Sequence, residues 1–129
     1  EELFQMAKFR CPLNHMAVMM RKEDIIRIGS YHHIPYIEDY ELWVRALING
    51  IKIGNVGEVL VHARTGNGMV QRRGTKKYIK SWHQMNKEMI QAGMIGYGTY
   101  IRNMISITAF VFMPDRLKEF LYKKVLRNR

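Results

Sequence analysis

Apolar positions along the chain recur at helical spacing in some stretches and crowd into short unbroken runs in others. Over residues 39–49, Leu42, Trp43, Ala46 and Leu47 mark one side of a helix. Glu38, Asp39 and Glu41 gather at its start, where the backbone dipole favours negative charge, and Gly50 ends it. Residues 75–91 predict a second helix, with Thr75 as N-cap, a stripe of Tyr78, Ile79, Trp82, Met85, Met89 and Ile90, and Ala92-Gly93 as its stop. A third covers 100–113. Pro114 interrupts it, and 115–129 resume as an amphipathic helix with Leu117, Phe120, Leu121 and Val125 opposite Lys and Arg.

The unbroken runs predict strands. Residues 15–20 are rich in Val and Met and bounded by Pro12-Leu13-Asn14 and Arg21-Lys22, which suits a buried strand. A short helix over 22–28 follows, closed by Gly29. Residues 51–56 and 58–63, separated by Gly57, are β-branched extended segments leading to a loop around Gly66 and Gly68. The fold class is therefore α/β, helix-rich with a few short strands, and helices predominate after Gly74. If the strands find no partners, the chain by itself becomes mainly helical.

The 129 residues suffice for one domain, and 47% hydrophobic content supports a packed core. The chain opens on Glu1 and reads as the middle of a longer protein. The lone Cys11 forms no internal disulfide and has no metal-site spacing around it, which points to a reducing compartment. A formal charge of +10 calls for an anionic partner. The cations cluster at Arg72, Arg73, Lys76, Lys77 and Lys80, and again at Arg116, Lys118, Lys123, Lys124, Arg127 and Arg129. The apolar run 105–113 is too short to cross a bilayer. Residues 100–129 instead have the composition of a segment lying on an anionic membrane or packing against protein.

Two constellations carry chemistry. Asp39 stands at a loop–helix junction, where a carboxylate can face a cleft while the helix behind holds it, as a general base requires; acidic residues there also serve as simple caps. Arg64, Gln71, Arg72 and Arg73 sit among Gly66, Gly68 and Gly74, a loop suited to binding phosphate. His32 and His33, in the loop before the acidic pair, can line the cleft that Asp39 faces but, being adjacent, make a poor chelating pair. Nothing matches a helix-turn-helix, zinc-finger or RNP pattern, and Tyr78 and Trp82 at i, i+4 read as a core stripe, so nucleic acid is not the expected partner.

The order of these parts, with IGSY, then EDYELWVRALINGIKIGNV, then EVLVHAR and a glycine-basic loop, resembles the C-terminal portion of family 2 glycosyltransferases over residues 15–74. The resemblance implies a C-terminal, acceptor-side fragment of a GT-A domain over 1–98, with amphipathic helices over 99–129 for packing or a membrane surface. It implies an inverting transferase of bacterial surface polysaccharide synthesis, with Asp39 as base in the ED motif and Glu38 and Trp43 at the acceptor. Arg64, Gln71, Arg72 and Arg73 fall on the donor diphosphate. The donor is a nucleotide-diphospho-sugar and the acceptor a saccharide or lipid-linked saccharide, met on the cytoplasmic face of a membrane. Mg or Mn is implied for the intact enzyme, held mainly by an Asp-x-Asp motif in the nucleotide-binding half. Asp24, Asp39 and Asp115 are the only aspartates here, so no metal site is assigned and the fragment alone is expected to be inactive. The alternative is a basic module binding nucleic acid or a membrane surface without catalysis.

Overall fold

The computed structural model describes residues 1–62, 75–114 and Leu117. Among the described residues five α-helices follow one another: α1 (Glu2–Met6), α2 (Lys22–Arg27), α3 (Glu38–Ile48), α4 (Lys76–Gln91) and α5 (Tyr97–Phe112). The long helices stand where the apolar spacing places them. Gly29, at φ +93°, and Gly50, at φ +72°, occupy the left-handed conformation after α2 and α3 that side chains with a Cβ resist. Thr75 takes the N-cap position of α4, but its buried hydroxyl makes no cap hydrogen bond.

The predicted strands do not form among the described residues, which are helical or irregular, so the α/β expectation gives way to an all-helical arrangement. At 15–20 the chain makes a 3-10 turn, His15–Ala17, and Met16 and Met19 project into solvent. A strand needs a neighbouring ladder to take up its N–H and C=O groups, and no described segment supplies one here. Beyond α3, Ile51 and Ile53 pack inward while Lys52 and Gly54 face out, keeping the alternation of a strand without its pairing. Val56, Val59, Leu60 and Val61 are exposed.

The core has two parts with α3 between them. The larger joins Ala7, Ile34, Ile37, Tyr40 and Val44 to Tyr78, Trp82, Met85 and Met89 of α4, to Met94 and Ile95, and to Val111 of α5. The smaller holds Ile28, Leu42, Trp43 and Ala46, flanked by Leu13, Val18, Ile25, Ile51 and Ile53. Tyr78 and Trp82 are thus core side chains, with Trp82 edge-on to Tyr40 at a centroid distance of 5.4 Å. Buried amides lock the bundle. Asn103 of α5 donates to the Lys8 carbonyl and to Asn86 Oδ1, each at 2.8 Å, and Asn86 donates to the Trp82 carbonyl at 2.8 Å.

Candidate active site

The N-terminal end of α3 and the turn that follows α2 meet around one buried ion pair. Glu41 is completely buried, in the first turn of α3, because apolar clusters flank the helix on both sides. A carboxylate cannot stay ionised there without compensation, and Arg45, one turn along, supplies it. Arg45 Nε donates to Glu41 Oε1 at 2.6 Å and Nη2 to Oε2 at 2.9 Å, the paired geometry in which a guanidinium binds a carboxylate most firmly. The same guanidinium donates to the carbonyls of Ile28 and Ser30, the latter at 2.6 Å. His32 Nδ1 lies 3.3 Å from Glu41 Oε1. One arginine thereby fastens the 28–32 turn to α3.

That turn needs fastening. Ser30 and Tyr36 have φ of +56° and +74°, a region in which residues with a Cβ are strained and which persists only where the surroundings over-determine it. Ser30 N–H donates to the Ile25 carbonyl at 2.9 Å, and the Tyr36 ring stands edge-on to Tyr78 at 6.4 Å. Tyr36 leads directly into Ile37, which is buried, and so sets where Glu38 and Asp39 emerge.

Glu38 and Asp39 are the first two residues of α3 and both are half-buried. Asp39 Oδ1 accepts the Tyr40 N–H at 2.8 Å; its Oδ2 accepts no hydrogen bond among the described residues. One oxygen is thus oriented by the backbone. Behind it, the Tyr40 hydroxyl donates to the Ala7 carbonyl at 2.8 Å. Burial, reinforced by Cys11 and Tyr78, pushes that phenol far above its ordinary range, so it remains a donor. From α4, Glu88 is also pushed above the usual carboxylate range, first by burial and then by the Glu41 charge, with the Gln84 hydrogen bond opposing.

The structure brings together some of the residues singled out by sequence. Glu38 and Asp39 share one edge of α3. Trp43, placed at the acceptor by the resemblance, is 3% exposed in the smaller core cluster and supports the helix from behind. Arg64, Gln71, Arg72 and Arg73 lie outside the described residues, as does the helix expected over 115–129 apart from Leu117. The Glu41–Arg45 pair and the strained Tyr36 were not singled out. The i, i+4 spacing of the pair is visible in the sequence, but on an acidic helix start it resembles an exposed surface pair.

Over nearly its whole length the chain is similar to bacterial proteins named for sugar transfer. It is 35% identical over 123 residues, 95% of its length, to the amylovoran biosynthesis glycosyltransferase AmsE of Erwinia amylovora. It is 34% identical over 126 residues, 98% of its length, to the UDP-Gal:alpha-D-GlcNAc-diphosphoundecaprenol beta-1,3-galactosyltransferase of Escherichia coli. An uncharacterized glycosyltransferase of Haemophilus influenzae is 32% identical over 128 residues, 99% of the chain. These matches cover 46%, 46% and 47% of those proteins, so the chain spans about half the length of the curated relatives it matches. No family model matches it, and no solved structure does.

Proposed function

We propose that these residues form the acceptor-side part of an inverting family 2 glycosyltransferase with a GT-A fold, acting in the assembly of a bacterial surface polysaccharide. The similarity to glycosyltransferases supports sugar transfer, and the observation that carries the site is the half-occupied carboxylate of Asp39 at the head of a helix held by a buried ion pair. In this reading Asp39 Oδ2 takes the proton of the acceptor hydroxyl. The acceptor oxygen attacks the anomeric carbon of a nucleotide-diphospho-sugar, the bond from that carbon to the diphosphate oxygen breaks, and the nucleoside diphosphate leaves with the bonding pair. The configuration at the anomeric carbon inverts. Glu38 hydrogen-bonds the acceptor, and Trp43 keeps α3 in place beneath it.

Arg64, Gln71, Arg72 and Arg73 are assigned to the departing diphosphate, whose charge guanidinium groups neutralise in paired contacts. A lipid-linked saccharide is the acceptor class, in line with the diphosphoundecaprenol-linked substrate in the name of the Escherichia coli relative. Among the described residues no three His, Cys, Asp or Glu side chains gather into a group for the Mg or Mn implied for the intact enzyme. That ion belongs to the donor-binding half of the reading.

The test is Asp39→Asn in the complete enzyme, assayed by transfer of labelled sugar to acceptor. Transfer falls roughly 10²–10⁴-fold, the range for loss of a general base, while the circular dichroism spectrum and donor binding stay as in the unaltered protein. Normal turnover by this variant overturns the role of Asp39.

A further inference from the structure

Helix α5 carries one charged residue, Arg102, in sixteen and is apolar on nearly every side. Its inward face holds Asn103, Ile107 and Val111 against the bundle. Its outward face is uncovered: Tyr97 is 74% exposed, Ile101 54%, Ile105 65% and Phe112 67%. At 100° per residue these four fall within about 80° of arc, one side of the helix, interrupted between Ile105 and Phe112 by Thr108. Arg102 flanks the stripe, its guanidinium 3.7 Å from the centre of the Phe9 ring. α5 has no acidic residue.

We infer that the Tyr97–Ile101–Ile105–Phe112 stripe docks in the plane of an anionic lipid surface, with Arg102 at its edge reaching the headgroups. Sixteen residues span about 24 Å, short of the ~30 Å of a bilayer core, so the helix lies on the membrane and does not cross it. No described helix is long and apolar enough to span. Tyrosine and phenylalanine at the two ends of an aliphatic stripe, with a cation beside it, have the chemistry of the headgroup–acyl boundary. A second copy fits less well. Four such side chains, partly exposed, offer on the order of 500 Å², below the ~800 Å² per partner of a stable protein interface. Two chains of +10 would also repel each other, whereas an anionic surface attracts both the chain and the six cations against two carboxylates in the sequence after Pro114.

This deepens the transferase reading, on which the use of the surface rests: it places Asp39 beside a membrane-borne acceptor. Vesicle binding itself stands on the stripe and the charge alone. The test is flotation of the chain with vesicles of mixed phosphatidylglycerol and phosphatidylcholine, compared with phosphatidylcholine alone. The partition constant falls about tenfold or more on removing phosphatidylglycerol or raising salt, and again in Ile101→Ser/Ile105→Ser/Phe112→Ser. Ile105→Glu alone repeats the loss with the far-UV spectrum unchanged. Equal binding to neutral vesicles, or unaltered binding by both variants, overturns the proposal, as does a dimer that the triple variant dissociates. In the complete enzyme the triple variant keeps transfer to a water-soluble acceptor and loses transfer to one embedded in vesicles. Absence of transfer by the unaltered enzyme to either acceptor would leave the flotation result intact and count against the transferase reading instead.

Discussion

Helices α3 and α5 invert the usual relation between polarity and burial. α3 has four charged residues in eleven, yet most of it is sequestered, including a fully buried glutamate. α5 has a single charge in sixteen and leaves Tyr97, Ile101, Ile105 and Phe112 in solvent. Burial in α3 follows from apolar clusters on two sides, and the charge that this traps is answered from within by Arg45. Among the described residues nothing answers the exposure of α5. A helix that satisfies its polar groups internally is a scaffold, whereas one that leaves apolar groups unsatisfied is directed outward.

Four substitutions sharpen or break this contrast. The largest effect falls on α3: Arg45→Met leaves Glu41 buried without its partner and lowers unfolding free energy by about 3–5 kcal/mol in urea titrations followed by tryptophan fluorescence. Adding Glu41→Met to that variant returns most of the loss. A drop under ~1 kcal/mol for Arg45→Met would mean that Glu41 reaches water and the contrast fails. Next, Asn103→Leu on the inward face of α5 strands the Lys8 carbonyl and Asn86 Oδ1, and destabilises by about 1–3 kcal/mol.

Smaller still is Glu88→Gln. Since burial and Glu41 raise the folded-state pKa of Glu88, its protonated form favours the folded chain. That contribution is fully present below the ordinary glutamate pKa and is lost as pH rises through the raised folded value. The variant therefore has the higher Tm at neutral pH and a flatter Tm profile across the acidic window, read by thermal unfolding at a series of pH values. Least is Ile101→Ser on the exposed stripe of α5, which shifts stability by no more than about 0.5 kcal/mol in the same titrations. A large loss there would mean that the stripe is covered within the chain.

Helix-forming segments were legible because their signals are local. The stripe from Tyr78 to Met89 sets the register of α4, and Gly29 and Gly50 mark stops through a backbone conformation that needs no distant partner. The apolar runs at 15–20, 51–56 and 58–63 were read as strands because β-branched side chains report a tendency to extend, while pairing depends on a second segment elsewhere. For α3 the spacing of Leu42, Trp43 and Ala46 reveals one buried side. The other, Tyr40 and Val44, becomes apparent only once α4 packs against it, and Glu41 lies buried between. The edge carrying Glu38 and Asp39 was visible in the sequence. The clamp behind it was not, since Arg45 bonds carbonyls, which every residue possesses.

The amide of Asn103 reaches the carbonyl of Lys8 across 95 positions of sequence. Such a contact forms only after nearly the entire polypeptide has been drawn into a loop, whose closure entropy rises with the logarithm of its length. Tyr40 gives the same segment a nearer anchor at Ala7, 33 positions away, so the contact of Asn103 with Lys8 is the later of the two to close. In a refolding experiment, protection of the Asn103 side-chain amide marks the end of the reaction, whereas α4 can acquire its backbone protection earlier from local contacts.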